Sequence, residues 1–98
     1  MNITNVNIHN IFTEGKLKAV ASIVIDNFIE VHDIKVVQGT DRLFVGMPSR
    51  KTADGEYKDI AHPISSEVRE VIQTAVLKEY EKALADLLTE LTAELENR

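Results

Sequence analysis

Leu17-Lys18-Ala19-Val20-Ala21-Ser22-Ile23-Val24-Ile25-Asp26-Asn27-Phe28-Ile29-Glu30-Val31-His32-Asp33-Ile34-Lys35-Val36-Val37 is the stretch on which the fold turns. Its first nine residues repeat every second position, the period of a pleated strand. Leu17, Ala19, Ala21, Ile23 and Ile25 share one face, and Lys18, Val20, Ser22 and Val24 share the other. Asp26-Asn27 is a two-residue turn, the kind that joins antiparallel strands. The residues after it are β-branched again, with Phe28, Glu30, His32, Ile34 and Val36 in one phase and Ile29, Val31, Asp33, Lys35 and Val37 in the other.

Further strands extend this hairpin on both sides. Residues 2–12 place Val6, Ile8 and Phe12 in one phase, and Gly15 supplies the turn that follows. Residues 42–47 form a short strand that Pro48 ends, since proline donates nothing to a ladder. Asp54-Gly55 marks another turn before residues 56–60. Connections this short exclude parallel crossovers, so the pattern predicts an antiparallel meander. The face with Val20, Val24, Val31 and Val37 is left apolar, and bare apolar patches of that kind mark interfaces.

The period changes after Pro63. Val68, Ile72, Ala75, Leu84, Leu87, Leu88, Leu91 and Leu95 recur at three- and four-residue steps, with Val71, Val76 and Tyr80 alongside. That is an amphipathic helix over residues 65–96. Ser65 or Ser66 caps it, and Glu67 and Glu70 suit its positive end. About thirty helical residues span roughly 45 Å. A compact domain of this size has a radius of gyration of about 13 Å. The spacing therefore predicts a break or bend at residues 82–86, or a tail swapped onto another subunit. The expected architecture is α+β: a four- to five-stranded antiparallel sheet over residues 1–62, then a long C-terminal helix, in one domain.

Composition narrows the function. The chain has 98 residues and no cysteine, which excludes disulfides, thiolate zinc sites and a thiol nucleophile. Its apolar runs are too short to cross a bilayer, and its start lacks a signal-peptide pattern, so a cytoplasmic protein is expected. Net charge is −5. Residues 1–63 carry seven Lys/Arg and eight Asp/Glu, whereas residues 64–98 carry four and eight. The acid thus gathers in the helix, and in cellular salt its influence fades over roughly 8–10 Å. His9, His32 and His62 lie on separate elements without metal-ligand spacing. The glycines at 15, 39, 46 and 55 are isolated and form no phosphate loop. No nucleophile elbow is present. Neither an enzyme nor a cofactor is indicated.

One loop carries a cationic signal: Met47-Pro48-Ser49-Arg50-Lys51-Thr52-Ala53-Asp54-Gly55-Glu56-Tyr57-Lys58-Asp59. Arg50, Lys51 and Lys58 suit phosphates, and Ser49 and Thr52 can hydrogen-bond them. Arg69, in the first helical turn, is a candidate to extend the patch. The alternative is a solvated hairpin whose cations pair with Asp54, Glu56 and Asp59. Lys16, Lys18, Lys35 and Arg42 either widen a basic surface or protect strand edges.

Three segments together resemble the stage V sporulation protein G family. They are Val31-His32-Asp33-Ile34-Lys35-Val36-Val37, Leu43-Phe44-Val45-Gly46-Met47-Pro48-Ser49-Arg50-Lys51-Thr52 and Asp59-Ile60-Ala61-His62-Pro63-Ile64. The likeness runs from about Asn2 to Tyr80 and stops before the tail. It implies a homodimer that binds DNA, and RNA in some members, in bacterial gene regulation linked to septation and sporulation. It also implies that Arg50, Lys51 and Thr52 lie where the family contacts nucleic acid. Ala53 stands where the family often has proline. A second reading is a protein-interaction module of the division machinery, motivated by the acidic tail and the leucine stripe.

Overall fold

The computed structural model describes residues 1–96. Strands β1 (Ile3–Ile11), β2 (Leu17–Ile25), β3 (Ile29–Gln38) and β4 (Leu43–Gly46) form one antiparallel sheet in the order β1-β2-β3-β4. Strands β5 (Ser49–Lys51) and β6 (Tyr57–Asp59) form a separate two-stranded ribbon, and helix α1 (Ser66–Glu96) closes the chain. The α+β meander is as the sequence predicts. The fifth strand is not part of the main sheet, because the chain leaves that sheet after Gly46 and pairs with itself beyond a buried Pro48.

The turn between β2 and β3 shows why Asp26-Asn27 stands there. Both residues have positive φ, 51° and 59°, and the Phe28 amide donates to the Ile25 carbonyl at 2.9 Å. This is the mirror-image turn whose twist matches a hairpin, and Asn and Asp tolerate it best among residues with a Cβ.

One face of the sheet meets the helix. Ala19, Ala21, Ile23, Ile34, Val36 and Val45 are buried against Ile72, Val76 and Tyr80. Burial of side chains this size is worth roughly 1.5–3 kcal/mol for each Val or Ile, before the entropy cost of ordering them. Ser65 caps the helix: its Oγ accepts from the Val68 amide at 3.2 Å. Ser65, not Ser66, is therefore the residue that satisfies the orphan donor.

Bulges change which side chains face the core. His32 and Asp33 together stand against the single residue Ser22, between the pairs Ala21/Ile34 and Ile23/Val31, with Asp33 at φ 60°. The extra residue flips the phase. Val31, expected on the bare face, therefore packs against the core with Ile34 and Val36. A bulge at His9 has the same effect in β1, so that Ile11 packs inward and Phe12, expected in phase with Val6 and Ile8, is exposed. A third at Lys18 sets Leu17 opposite Val37, which itself faces Phe44. Leu17 thus leaves the row of Ala19, Ala21 and Ile23 for the open face. That face carries Leu17, Val20, Val24, Val37 and Phe44, along with a His9–Ser22 hydrogen bond of 2.9 Å.

The expected break at residues 82–86 is not there. Helix α1 runs unbroken from Ser66 to Glu96. Nothing in it forces a kink, since neither Gly nor Pro interrupts it. The length is accommodated by projection instead. Leu84 is the last side chain packed against the core, and Leu88, Leu91 and Leu95 are exposed. The molecule extends 50 Å along its longest axis.

Candidate nucleic-acid interface

The site grows out of the Asp54-Gly55 turn. Gly55 has φ +86°, a conformation that disfavours a Cβ. The Thr52 amide donates to the Glu56 carbonyl at 2.7 Å, and the Gly55 amide to the Thr52 carbonyl at 3.0 Å. The Thr52 hydroxyl is turned into the loop, within hydrogen-bonding reach of the Asp54 carboxylate and of the Glu56 carbonyl. That hydroxyl bond, followed by one from the Glu56 amide, holds the Asp54 carboxyl below the usual aspartate range. At the root of the ribbon the Ile60 amide donates to the Pro48 carbonyl at 2.7 Å.

The turn fixes the register. Ser49 lies opposite Asp59, Arg50 opposite Lys58 and Lys51 opposite Tyr57. Because side chains alternate across a strand, Arg50 and Lys58 share one face of the ribbon. Ser49, Asp59, Lys51 and Tyr57 share the other. The adjacent pair Arg50-Lys51 is thereby split between faces. All of Arg50, Lys51, Tyr57 and Lys58 are exposed, while Ser49 and Thr52 are half-buried.

The alternative, in which local acids pair with these cations, is not what the described residues show. Among the described residues the only side-chain ion pair is His32 with Glu30, at 3.2 Å. Arg50, Lys51 and Lys58 have no carboxylate within 4.0 Å among the described residues, although Asp54, Glu56 and Asp59 are close in sequence. Asp54 is occupied by Thr52 instead. Two cations face each other across the ladder, an arrangement that works against folding.

Arg69 sits apart from the ribbon tip. It is exposed on the first turn of α1 and lines an apolar cleft with Val45, Met47, Pro63, Ile72 and Gln73. Met47 and Pro63 flank the ribbon in sequence, so Arg69 belongs to its root. The three histidines are dispersed: His9 bonds Ser22, His32 meets Glu30, and His62 Nδ1 lies 3.1 Å from the Pro63 carbonyl. No cluster of three or more metal-ligating side chains exists among the described residues. No described helix is long and apolar enough to cross a membrane.

The cross-strand partners were readable only by counting outward from the turn. Once Thr52 and Glu56 close the loop, Lys51 must face Tyr57 and Arg50 must face Lys58. Tyr57 enters the site through that register and carries no signal of its own in the sequence.

The family model SpoVG matches residues 1–82. The chain belongs to the SpoVG family. Relatives named "Putative septation protein SpoVG" agree with this. One from Clostridium beijerinckii is 57% identical over 90 residues, covering 92% of this chain and 99% of the relative. One from Clostridium perfringens is 61% identical over 82 residues, covering 84% and 91%. One from a Thermoanaerobacter species is 58% identical over 83 residues, covering 85% and 90%. The SpoVG match ends at residue 82, close to where α1 leaves the sheet at Leu84.

Proposed function

We propose that this SpoVG-family chain is a non-enzymatic nucleic-acid-binding regulator linked to septation and sporulation, working in the cytoplasm as a homodimer on DNA and also on RNA. The observation that carries the reading is the ribbon. Three cations, Arg50, Lys51 and Lys58, stand exposed without acidic partners among the described residues, and two of them are held face to face. Such a pair is unfavourable alone and is relieved by a phosphate between its members. Arg69, near the root, is an outlying cation for the same backbone, whereas Ser49, half-buried opposite Asp59, and Thr52, which holds the turn, serve the ribbon itself. Neither cofactor nor small-molecule substrate enters this reading.

The dimer finds support in the open sheet face, where Leu17, Val20, Val24, Val37 and Phe44 form an apolar surface. Light scattering should give twice the 11.0 kDa of one chain. A monomer mass at micromolar concentration overturns this part.

Two subunits present six ribbon cations. Duplex binding should therefore weaken with salt at a slope of about −5 in log affinity against log salt. Arg50→Ala/Lys58→Ala should bring the slope to roughly −2. Equal affinity and equal slope in both proteins remove the ribbon from the mechanism.

The second reading, a protein-interaction module, is favoured by Leu88, Leu91 and Leu95, exposed beyond the sheet. Specific partners that survive nuclease treatment and are lost on Leu88→Ser/Leu91→Ser support it.

A further inference from the structure

Tyr57 is the one aromatic side chain on the ribbon, and it is 72% exposed. A tyrosine usually earns its place in a fold by packing its ring or bonding its hydroxyl. This ring is not among the side chains packed on the core, and its hydroxyl has no hydrogen-bond partner among the described residues. The other tyrosine, Tyr80, is 5% exposed and part of the core. Directly across the ladder from Tyr57 is Lys51, a cation without an acidic partner among the described residues. An open ring beside an unpaired ammonium offers two things together: a flat apolar surface and a charge for the phosphate next to whatever lies on it.

We propose that Tyr57 with Lys51 is a stacking subsite for an unpaired base, making one face of the ribbon selective for single-stranded nucleic acid. This deepens the nucleic-acid reading and rests on it. The two faces then divide the work. Arg50 and Lys58 meet phosphates, which duplex and single strand both carry. The Tyr57 ring needs the flat face of a base. In a duplex that face is covered by the neighbouring base pairs, whereas an unpaired base presents it freely. Asp59 lies on the same face as Tyr57, one pair nearer the ribbon root, opposite Ser49. Its charge repels a phosphate there, which directs the strand toward the Lys51 end, at the tip. Any base serves, because every base has a π-face, so the subsite contributes strand-state selectivity without sequence preference.

The test uses the full chain with labelled oligonucleotides of one mixed sequence, as unpaired RNA, unpaired DNA and duplex DNA, at fixed salt. Tyr57→Leu should weaken binding to both unpaired strands by about 5- to 150-fold, the range for losing one stacked base. Binding to the duplex should change less than twofold. Tyr57→Phe should retain the affinity for unpaired strands. The chain has two tyrosines and no tryptophan, so Tyr57 also reports optically. Unpaired strands should quench tyrosine emission in the wild type and leave it unchanged in Tyr57→Phe. Equal loss on duplex and unpaired strands in Tyr57→Leu, or no loss on either, overturns the subsite. Loss confined to one of RNA or DNA overturns the claim of a general base platform. Failure of Arg50→Ala/Lys58→Ala to weaken any of the three substrates sinks the phosphate reading separately, since the Tyr57 comparison is made within one protein between strand states. Wild type binding none of the three sinks both. Unchanged thermal unfolding in Tyr57→Leu shows that the fold is not the cause, as expected for an unpacked ring.

Discussion

Two antiparallel hairpins in this molecule obey the same local rules and do opposite jobs. The β2–β3 hairpin turns on Asp26-Asn27 and carries Ala21, Ile23, Ile34 and Val36, all fully buried. The β5–β6 ribbon turns on Asp54-Gly55 and has no buried residue. Burial makes the first hairpin a source of stability, and a change there is felt throughout the domain. The second is tied to the body at its root and is held mainly by its own turn. Its side chains are free of packing demands and available to a partner. It even keeps a cross-strand pair of cations that works against its own stability.

This contrast can be attacked at both ends. The largest effect is expected in the core. Ile34→Ala should cost about 2–5 kcal/mol, from lost burial and the cavity left behind. Denaturant unfolding reads this directly, and a loss under about 1 kcal/mol would mean that the sheet–helix layer is not the main support. Ser65→Ala should cost about 1 kcal/mol by removing the cap from the helix that covers that layer. Amide exchange in the first turn of α1 should rise with it.

In the ribbon the signs reverse. Arg50→Glu replaces a like-charge pair with an opposite pair across from Lys58, and should stabilise by roughly 0.2–1 kcal/mol. The same change should reduce nucleic-acid affinity severely. A variant that becomes less stable, or that binds as before, contradicts the assignment of Arg50 and Lys58 to a phosphate face.

The smallest effect is electrostatic and local. Asp54 is held below its ordinary value near 3.8 by the Thr52 hydroxyl and the Glu56 amide. Its contribution is therefore present above the ordinary aspartate range and is lost as pH falls through the depressed value. The Gly55 and Glu56 amide resonances should shift on acidification below about pH 4, while core amides stay in place. Asp54→Asn should remove the transition. A transition centred at or above the ordinary value breaks the account of the turn.

Most of the fold was legible in the residues. The alternation of Ala19, Ala21 and Ile23, the Asp26-Asn27 turn and the spacing of Ile72, Val76 and Tyr80 are local patterns with local causes. What was not legible followed from bulges and from length. Nothing in the composition of residues 31–34 says that two residues will oppose Ser22, yet that bulge decides whether Val31 lies in the core. The helix was expected either to break or bend at residues 82–86 or to lie on another subunit, because a compact body cannot contain it; the break is absent, since an unbroken backbone that leaves the body satisfies its hydrogen bonds equally well. In the candidate site, Arg50, Lys51 and Lys58 stood out by charge. Tyr57 did not, because an isolated aromatic in a loop-rich segment has no meaning until its cross-strand partner is known.

The sequence by itself determined the element types, the turns, the family and the cationic stretch, since each depends on residues a few positions apart. The tertiary structure decided which side chains share a face wherever a bulge or a strand pairing intervenes. It set Arg50 against Lys58, placed Tyr57 beside Lys51, moved Leu17 and Val31 to opposite sides of the sheet and sent the end of α1 beyond it. The reason is that register arises from hydrogen-bond matching between separate strands, where one added residue reverses every side chain that follows.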